Sequence, residues 1–245
     1  MRIDLAIIGG TGVGSRLAER PGTRIAVRTR FGLLRGRIIE LGGAGVLAVQ
    51  RHSAGHATPP HRVNYRGIVA GIRAAGVSHC LSTAAVGCLR PEWPVGSVVP
   101  CTDFIDASGR NLTLFDKRVV HTPMDAPFGA DSGVLRDAMA EAGVTPPERA
   151  VYLQANGPRY ETVAEIAGYQ RAGADLVGMT AASEAVLMRE AGIAYECLAV
   201  VTNLAAGLGG EIDHGAVGDV MADRSELLFR ILEIASRKIA VGGAA

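Results

Sequence analysis

Aromatic side chains are scarce in this 245-residue chain: one Trp, five Tyr and five Phe, 4% in all. A core with so few rings must be filled by aliphatic residues, so a Tyr beside polar residues in a loop invites a binding role rather than a packing one. Charge is nearly balanced, with a formal net charge of +1 and 20% charged residues, so no basic field points to nucleic acid. No apolar run approaches the roughly 18 residues that a membrane span requires. The opening MRIDLAIIGG holds one Arg and passes straight into a strand-like run and a glycine loop, unlike a signal peptide. Cysteines number four, at 80, 88, 101 and 197, with no C-x-x-C pair. They are expected to be reduced thiols of a cytoplasmic protein, not a disulfide frame. No linker, repeat or low-complexity tract divides the chain, so a single domain over residues 1–245 is expected.

Glycine is plentiful, at 32 residues, and hydrophobic residues make up 48%. Apolar runs at Ile3–Ile8, Val77–Ser82, Gly96–Ile105, Ala150–Ala155, Ala174–Met179 and Ala194–Val201 read as buried strands. Arg24–Thr29, Arg35–Leu41 and Gly45–Gln50 read as strands separated by glycine turns. Helical spacing marks Val63–Ala75, Asp131–Ala142, a helix opening at Thr162, Ser183–Ala191 and a last helix over about 222–240. This alternation predicts an α/β fold with a mixed, largely parallel central sheet flanked by helices.

The stretch NGPRYETVAEIAGYQRAGADLVGMT, Asn156–Thr180, stands out chemically. An Asn-Gly-Pro corner precedes Tyr160 and Glu161, Thr162 with Glu165 reads as a capping box, and Gly173 is placed to end the helix. An aromatic face, a carboxylate and the Thr180 hydroxyl are thereby gathered in a small region suited to a flat heterocycle beside an anion. Elsewhere, GGTGVG (9–14) offers backbone amides and the Thr11 hydroxyl to an anion, without the Lys of a P-loop. Its G-x-G-x-x-G-like spacing also admits a dinucleotide site, but that reading needs an acidic residue about 20 positions on, where Arg28-Thr29-Arg30 stand. Arg51-His52 follow a strand, where a guanidinium fork suits phosphate. The His52/His56 spacing would align metal ligands on a helix, but glycine and prolines here indicate a loop, so no metal is expected. Ligands of parallel sheets bind beyond the carboxyl ends of strands, and Thr11, Arg51, Ala84, Glu161, Thr180 and Asn203 are all expected at or just past such ends. The segment from Asp106 to Pro127 has little periodicity and is expected to be functional or interfacial.

Eight blocks, in order, resemble the trimeric purine nucleoside phosphorylase and methylthioadenosine phosphorylase family. They are IIGGTG (7–12), RHSAGHATPPHRVNY (51–65), AAVGCL (84–89), DFIDASGRNLTLF (103–115), VVHTPMDAPF (119–128), NGPRYETVAEI (156–166), GADLVGMT (173–180) and VTNLAAG (201–207). The resemblance implies cleavage of a purine nucleoside by orthophosphate to free base and ribose 1-phosphate, with no cofactor beyond phosphate as co-substrate. It implies a phosphate set of Thr11, Arg51, His52, Ala84 and Thr180. It puts Tyr160 on the purine, Met179 under the ribose, Glu161 and Asn203 on the base edge, and His214 toward the 5′ substituent. His121 matches a residue lent to the neighbouring subunit, implying a homotrimer or a dimer of trimers. Neither nucleic acid nor membrane is an expected partner.

Asn203, where adenosine-type relatives favour Asp, points to 6-oxopurines, inosine and guanosine. An S-methyl-5′-thioinosine or methylthioadenosine phosphorylase is the alternative, and an inactive purine- and phosphate-binding homologue the remote one. Three departures from the family's pattern bear on this: Ala84 for Asn or Thr near the phosphate, Ser53 for a usual Gly, and Ser183 for the Pro that many relatives carry.

Overall fold

LAIIG, Leu5–Gly9, forms strand β1 in the middle of a ten-stranded sheet. The computed structural model describes residues 2–53, 55, 57–129, 133–210 and 213–242, and of His214 the backbone only. β1 pairs in parallel with β4 (Ala44–Gln50) on one side and β5 (His79–Cys88) on the other. Successive β1 side chains point to opposite faces, and both faces are covered. Ala6 and Ile8 meet Val69 and Ile72 of α2 (Tyr65–Ala74) and Ala185 and Met188 of α5 (Ala181–Ala191) in one cluster. Leu5 and Ile7 join Leu17 of α1 (Val13–Glu19), Leu135 of α3 (Gly133–Glu141) and Ile231 of α7 (Ser225–Gly242) in the other. Each fully buried Leu or Ile contributes about 1.5–3 kcal/mol of transfer free energy. The layers are thus set by an uninterrupted apolar run.

β2 (Gly22–Thr29) and β3 (Gly32–Leu41) extend the sheet antiparallel from β4. Gly42 and Gly43, both at positive φ, make the two-residue turn from β3 to β4. A Cβ on Gly42 would lie 2.2 Å from the Glu233 carbonyl, so the α7 backbone also demands glycine there. Beyond β5 the sheet forks. β10 (Ala194–Leu204) runs parallel along it, while β9 (Leu176–Gly178) pairs antiparallel with Gly87–Cys88. β8 (Val151–Gln154) and β7 (Asp103–Asp106) continue outward from β9, and β6 (Val98–Pro100) pairs with β10. α4 (Val163–Arg171) covers this arm through Ile166, packed with Leu153 and Val177.

Four expectations are corrected. The strand expected over Gly96–Ile105 is two: after Pro100 the Cys101 amide bonds the Cys197 carbonyl on β10, and the Thr102 amide bonds Ala150 beside β8. The chain changes neighbours at that point. Val77–Ser82 was expected to end at a small-residue corner, but β5 runs on to Cys88, because β10 pairs along the whole of Thr83–Cys88. Ala84 therefore lies inside a strand and not at its end. α1 begins at Val13, inside GGTGVG, and is a further element. The last helix, expected from about Ala222, is two: α6 (His214–Asp223), capped by Asp213 on the Gly215 and Ala216 amides, and then α7. The expected helix over Asp131–Ala142 begins, among described residues, at Gly133.

Candidate functional site

β1 and β4 end side by side, and the chain beyond them supplies the first wall of a site. The Arg51 amide donates to the Gly9 carbonyl and the Gly10 amide to the Thr83 hydroxyl at 3.1 Å. A Cβ on Gly10 would come 2.5 Å from Arg51 Nη1, so only glycine lets the guanidinium approach this turn. A cavity of about 530 Å³ opens here. Thr11, Arg51, His52, Ala84 and Thr180 line one part of it. Tyr160, Glu161, Met179 and Asn203 line the rest. Nine of the eleven expected residues thus share one cavity. A larger cleft of about 1030 Å³ between α1 and the β2–β4 strands holds none of them except Arg51.

Arg51 is only 3% exposed, and Glu184 of α5 meets it in a buried fork: Nε to Oε1 at 2.5 Å and Nη2 to Oε2 at 2.9 Å. Nη1 donates to the Thr83 carbonyl at 2.8 Å. Burial alone would lower the Arg51 pKa, but the Glu184 charge and hydrogen bonds outweigh it, so the guanidinium stays charged. Three of its N–H groups are engaged, which leaves one hydrogen on each of Nη1 and Nη2 for an anion. Tyr195 donates to Glu184 Oε2 at 2.7 Å, and Ser82 meets the same phenol at 2.7 Å, so the carboxylate itself is braced. His52 Nδ1 lies 2.9 Å from the Thr58 carbonyl. A carbonyl only accepts, so that nitrogen carries a proton.

Thr180 is the N-cap of α5, yet its hydroxyl makes no capping bond; it lines the cavity. The Tyr152 hydroxyl accepts from the Thr180 and Ala181 amides at 3.0 and 3.3 Å. Ser53, at the usual Gly position, has φ 62, a left-handed conformation that glycine adopts freely. Serine here carries strain of roughly 1–2 kcal/mol, offset in part by its 3.0 Å bond to Thr58.

The second wall follows the sequence reading closely. Thr162 accepts from the Glu165 amide and Glu165 from the Thr162 amide, completing the capping box, and Gly173, at φ 89, follows the helix end. Arg159 clamps Glu165 with two bonds of 2.8 and 2.7 Å. Tyr160 and Glu161 lie between the two residues of this clamp, just after the Gly157-Pro158 corner. Gly157 has φ 66, and a Cβ on it would strike the Met179 sulfur at 2.3 Å, so the corner fits against Met179 only as glycine. Asn203 is the penultimate residue of β10, at the carboxyl end of the strand as expected, beside a register break after Val201. Its amide donates to the Leu204 carbonyl at 2.9 Å and its oxygen meets the Thr202 hydroxyl at 3.1 Å.

His121 and His214 stand apart. His121 is exposed in the loop after β7 and does not line the cavity of its own chain. The His214 side chain lies outside the described residues, as does His56; α6, which His214 opens, brings Val217 to the cavity wall. The sequence reading passed over Glu184, Tyr195 and Gln154, and took Arg110 only as part of the 106–127 loop. Glu184 alone left a signal, a single acid among the small apolar residues of AASEAVLM.

The family model described as the phosphorylase superfamily matches residues 4–237. A Methanopyrus kandleri protein named probable S-methyl-5′-thioinosine phosphorylase is 41% identical over 211 residues, covering 84% of this chain and 80% of the relative. The 6-oxopurine nucleoside phosphorylase of Pyrococcus furiosus is 34% identical over 239 residues, covering 93% and 90%. In structure, the methylthioadenosine phosphorylase of Schistosoma mansoni in complex with adenine matches with a TM-score of 0.89, 26% identity and 99% and 93% coverage.

Proposed function

Because the chain belongs to the phosphorylase superfamily, we propose that it cleaves 6-oxopurine nucleosides with orthophosphate, giving free base and ribose 1-phosphate. One observation carries the reading: the Thr11–Arg51–Thr180 wall and the Tyr160–Glu161–Asn203 wall enclose one cavity of about 530 Å³, within the usual range for small-ligand sites. Phosphate sits against Arg51, Thr11, His52, the Ala84 backbone and Thr180. The purine lies by Tyr160 and the ribose over Met179.

As the bond from C1′ to N9 breaks, its electrons pass to the purine and positive charge grows on the sugar. The phosphate dianion stabilises that charge and then attacks C1′ from the opposite face, so no protein nucleophile is needed. Glu161 accepts the N1 proton of a 6-oxopurine. Asn203 bonds O6 or N7 and helps the base leave. Charge stabilisation and nucleophile both come from phosphate, so activity is expected to survive EDTA.

The test is release of hypoxanthine and ribose 1-phosphate from inosine. It should require phosphate; inosine, guanosine and methylthioinosine all left intact would overturn the reading. A second reading, S-methyl-5′-thioinosine phosphorylase, is favoured by the Methanopyrus kandleri relative and by the apolar Val217 on the cavity wall. A homotrimer, or a dimer of trimers, is proposed from the 107–127 loop, whose 116–121 stretch, His121 included, is exposed. A solution mass equal to one chain in a fully active sample would exclude it. No described helix is long and apolar enough to cross a membrane. A cytoplasmic location is proposed from four buried cysteines that form no disulfide.

Burial pushes the Glu161 carboxyl above its ordinary range; Glu165 adds to this, while a backbone hydrogen bond and Arg159 oppose it. The carboxylate is the form that accepts N1–H, so recognition is lost as pH falls through this raised value. The acid limb of kcat/KM for inosine is therefore expected at higher pH than an ordinary glutamate would give. Glu161→Gln should remove that limb; a limb unchanged in the variant would assign it elsewhere.

A further inference from the structure

Arg110, in the loop after β7, does not line the cavity yet bonds Met179, which does, and three residues of neighbouring segments. Its Nε donates to Asn156 Oδ1 at 2.8 Å and its Nη2 to the Asn156 carbonyl. Nη1 is shared among the Met179 carbonyl at 3.1 Å, the Tyr65 hydroxyl at 3.2 Å and Ser183 Oγ at 3.3 Å. Asn156 begins the corner that presents Tyr160 and Glu161. Met179 is the proposed ribose floor, and Ser183 lies in the first turn of α5, between Thr180 and Glu184. Tyr65 in turn donates to the Pro60 carbonyl at 2.9 Å, reaching the wall at Pro59-Pro60. No carboxylate among the described residues forms an ion pair with Arg110; backbone and side-chain oxygens surround its charge. A planar fork of five donors can bridge several acceptors in fixed directions, whereas an ammonium on a flexible stem cannot.

Ser183 completes the arrangement. Its amide donates to Gln154 Oε1 at 2.9 Å, and Gln154 Nε2 lies 2.7 Å from its hydroxyl oxygen. Gln154 ends β8, two residues before Asn156. The Pro that many relatives carry here has no N–H and no hydroxyl, so it would delete both bonds and the contact to Arg110. Helix α5, the end of β8 and the 156–161 corner are tied together by these side chains, of which Ser183 departs from the family's pattern.

We propose that Arg110 is a positioning residue that fixes the base-recognition corner relative to Met179 and the α5 N-terminus, with Ser183 as its second anchor. The proposal rests on the nucleoside phosphorylase reading for its kinetic consequence, though not for its structural one. The anchor acts on the nucleoside end, since none of Thr11, Arg51 and His52 hydrogen-bonds Arg110 in the described structure.

The test compares wild type, Arg110→Ala, Arg110→Lys and Ser183→Ala. A displaced binding group of about 1 Å can cost up to about 10²-fold, so Arg110→Ala should raise the inosine KM at least about tenfold, with the phosphate KM within about twofold. Arg110→Lys should not restore it, whereas added guanidinium ion should restore part of it in Arg110→Ala. Ser183→Ala should show a smaller rise in the same direction. Independently of activity, trypsin should cut after Arg159 faster in Arg110→Ala, with cutting after other arginines unchanged. Equal rises in both KM values, or kinetics and proteolysis like wild type, would overturn the proposal. If wild type cleaves no nucleoside, the functional reading fails, while the trypsin comparison still decides the role of Arg110.

Discussion

Glu184→Ala is expected to destabilise the protein by about 3–5 kcal/mol, since removing one partner of a buried pair strands the other's charge. For a domain of this size that lowers Tm by about 6–20 °C. The Arg51 and Glu184 side chains are 1% and 0% exposed, so the stranded charge is buried. Tyr195 would lose its acceptor as well. Function should suffer selectively. Unheld at Nε and Nη2, the guanidinium is no longer fixed in orientation for an anion. The phosphate KM should rise more than the inosine KM, the reverse of the pattern expected for Arg110. Glu184→Gln separates shape from charge: it keeps one acceptor for Arg51, should fold better than Glu184→Ala, and should still bind phosphate weakly. Tighter phosphate binding in Glu184→Gln would mean that Glu184 merely competes with phosphate for Arg51. Unchanged thermal unfolding in Glu184→Ala would remove the stability argument.

The parts of this molecule that sequence made legible are those written in short-range pattern. The run Ile3–Ile8 announced a strand buried on both faces, and Ile7 and Ile8 do lie in opposite core clusters. Thr162 and Glu165 announced a capping box three residues wide, and it is present. Of the nine residues that share the cavity, all but Ala84 stand near strand ends or turns recognisable from glycine and proline. Small residues hid the rest. Thr83-Ala84-Ala85-Val86-Gly87 looks like a corner because no residue in it insists on a strand; only β10 alongside makes it one. The glycines of GGTGVG likewise masked the start of α1. Arg110 was invisible as an anchor for a different reason: its partners Asn156, Met179 and Ser183 lie 46 to 73 positions away. Long-range hydrogen bonds leave no period in a sequence.

The choice of base should turn on Glu161 and Asn203. A carboxylate placed for N1–H meets a bare ring nitrogen in adenine, and an unmatched buried polar group costs about 1–3 kcal/mol, more when charged. Sites built on such hydrogen bonds reject the wrong partner by factors approaching about 10⁴, so inosine and guanosine should far outpace adenosine. The Asn203 amide is already oriented. Its oxygen faces the Thr202 hydroxyl and its nitrogen the Leu204 carbonyl, which leaves the second amide hydrogen for O6 or the oxygen for N7–H. Asn203→Asp removes both amide hydrogens and sets a carboxylate against the Leu204 carbonyl. The variant should lose inosine activity, gain relative activity on adenosine through the 6-amino group, and so narrow the gap. Adenosine or methylthioadenosine cleaved faster than inosine and guanosine by wild type would sink the base argument. The 5′ end is a separate matter, since a hydroxyl partner at His214 favours ordinary nucleosides and the apolar Val217 a methylthio group. If methylthioinosine beat inosine while adenosine stayed poor, the 5′ assignment would pass to Val217, and Glu161 and Asn203 would keep their roles.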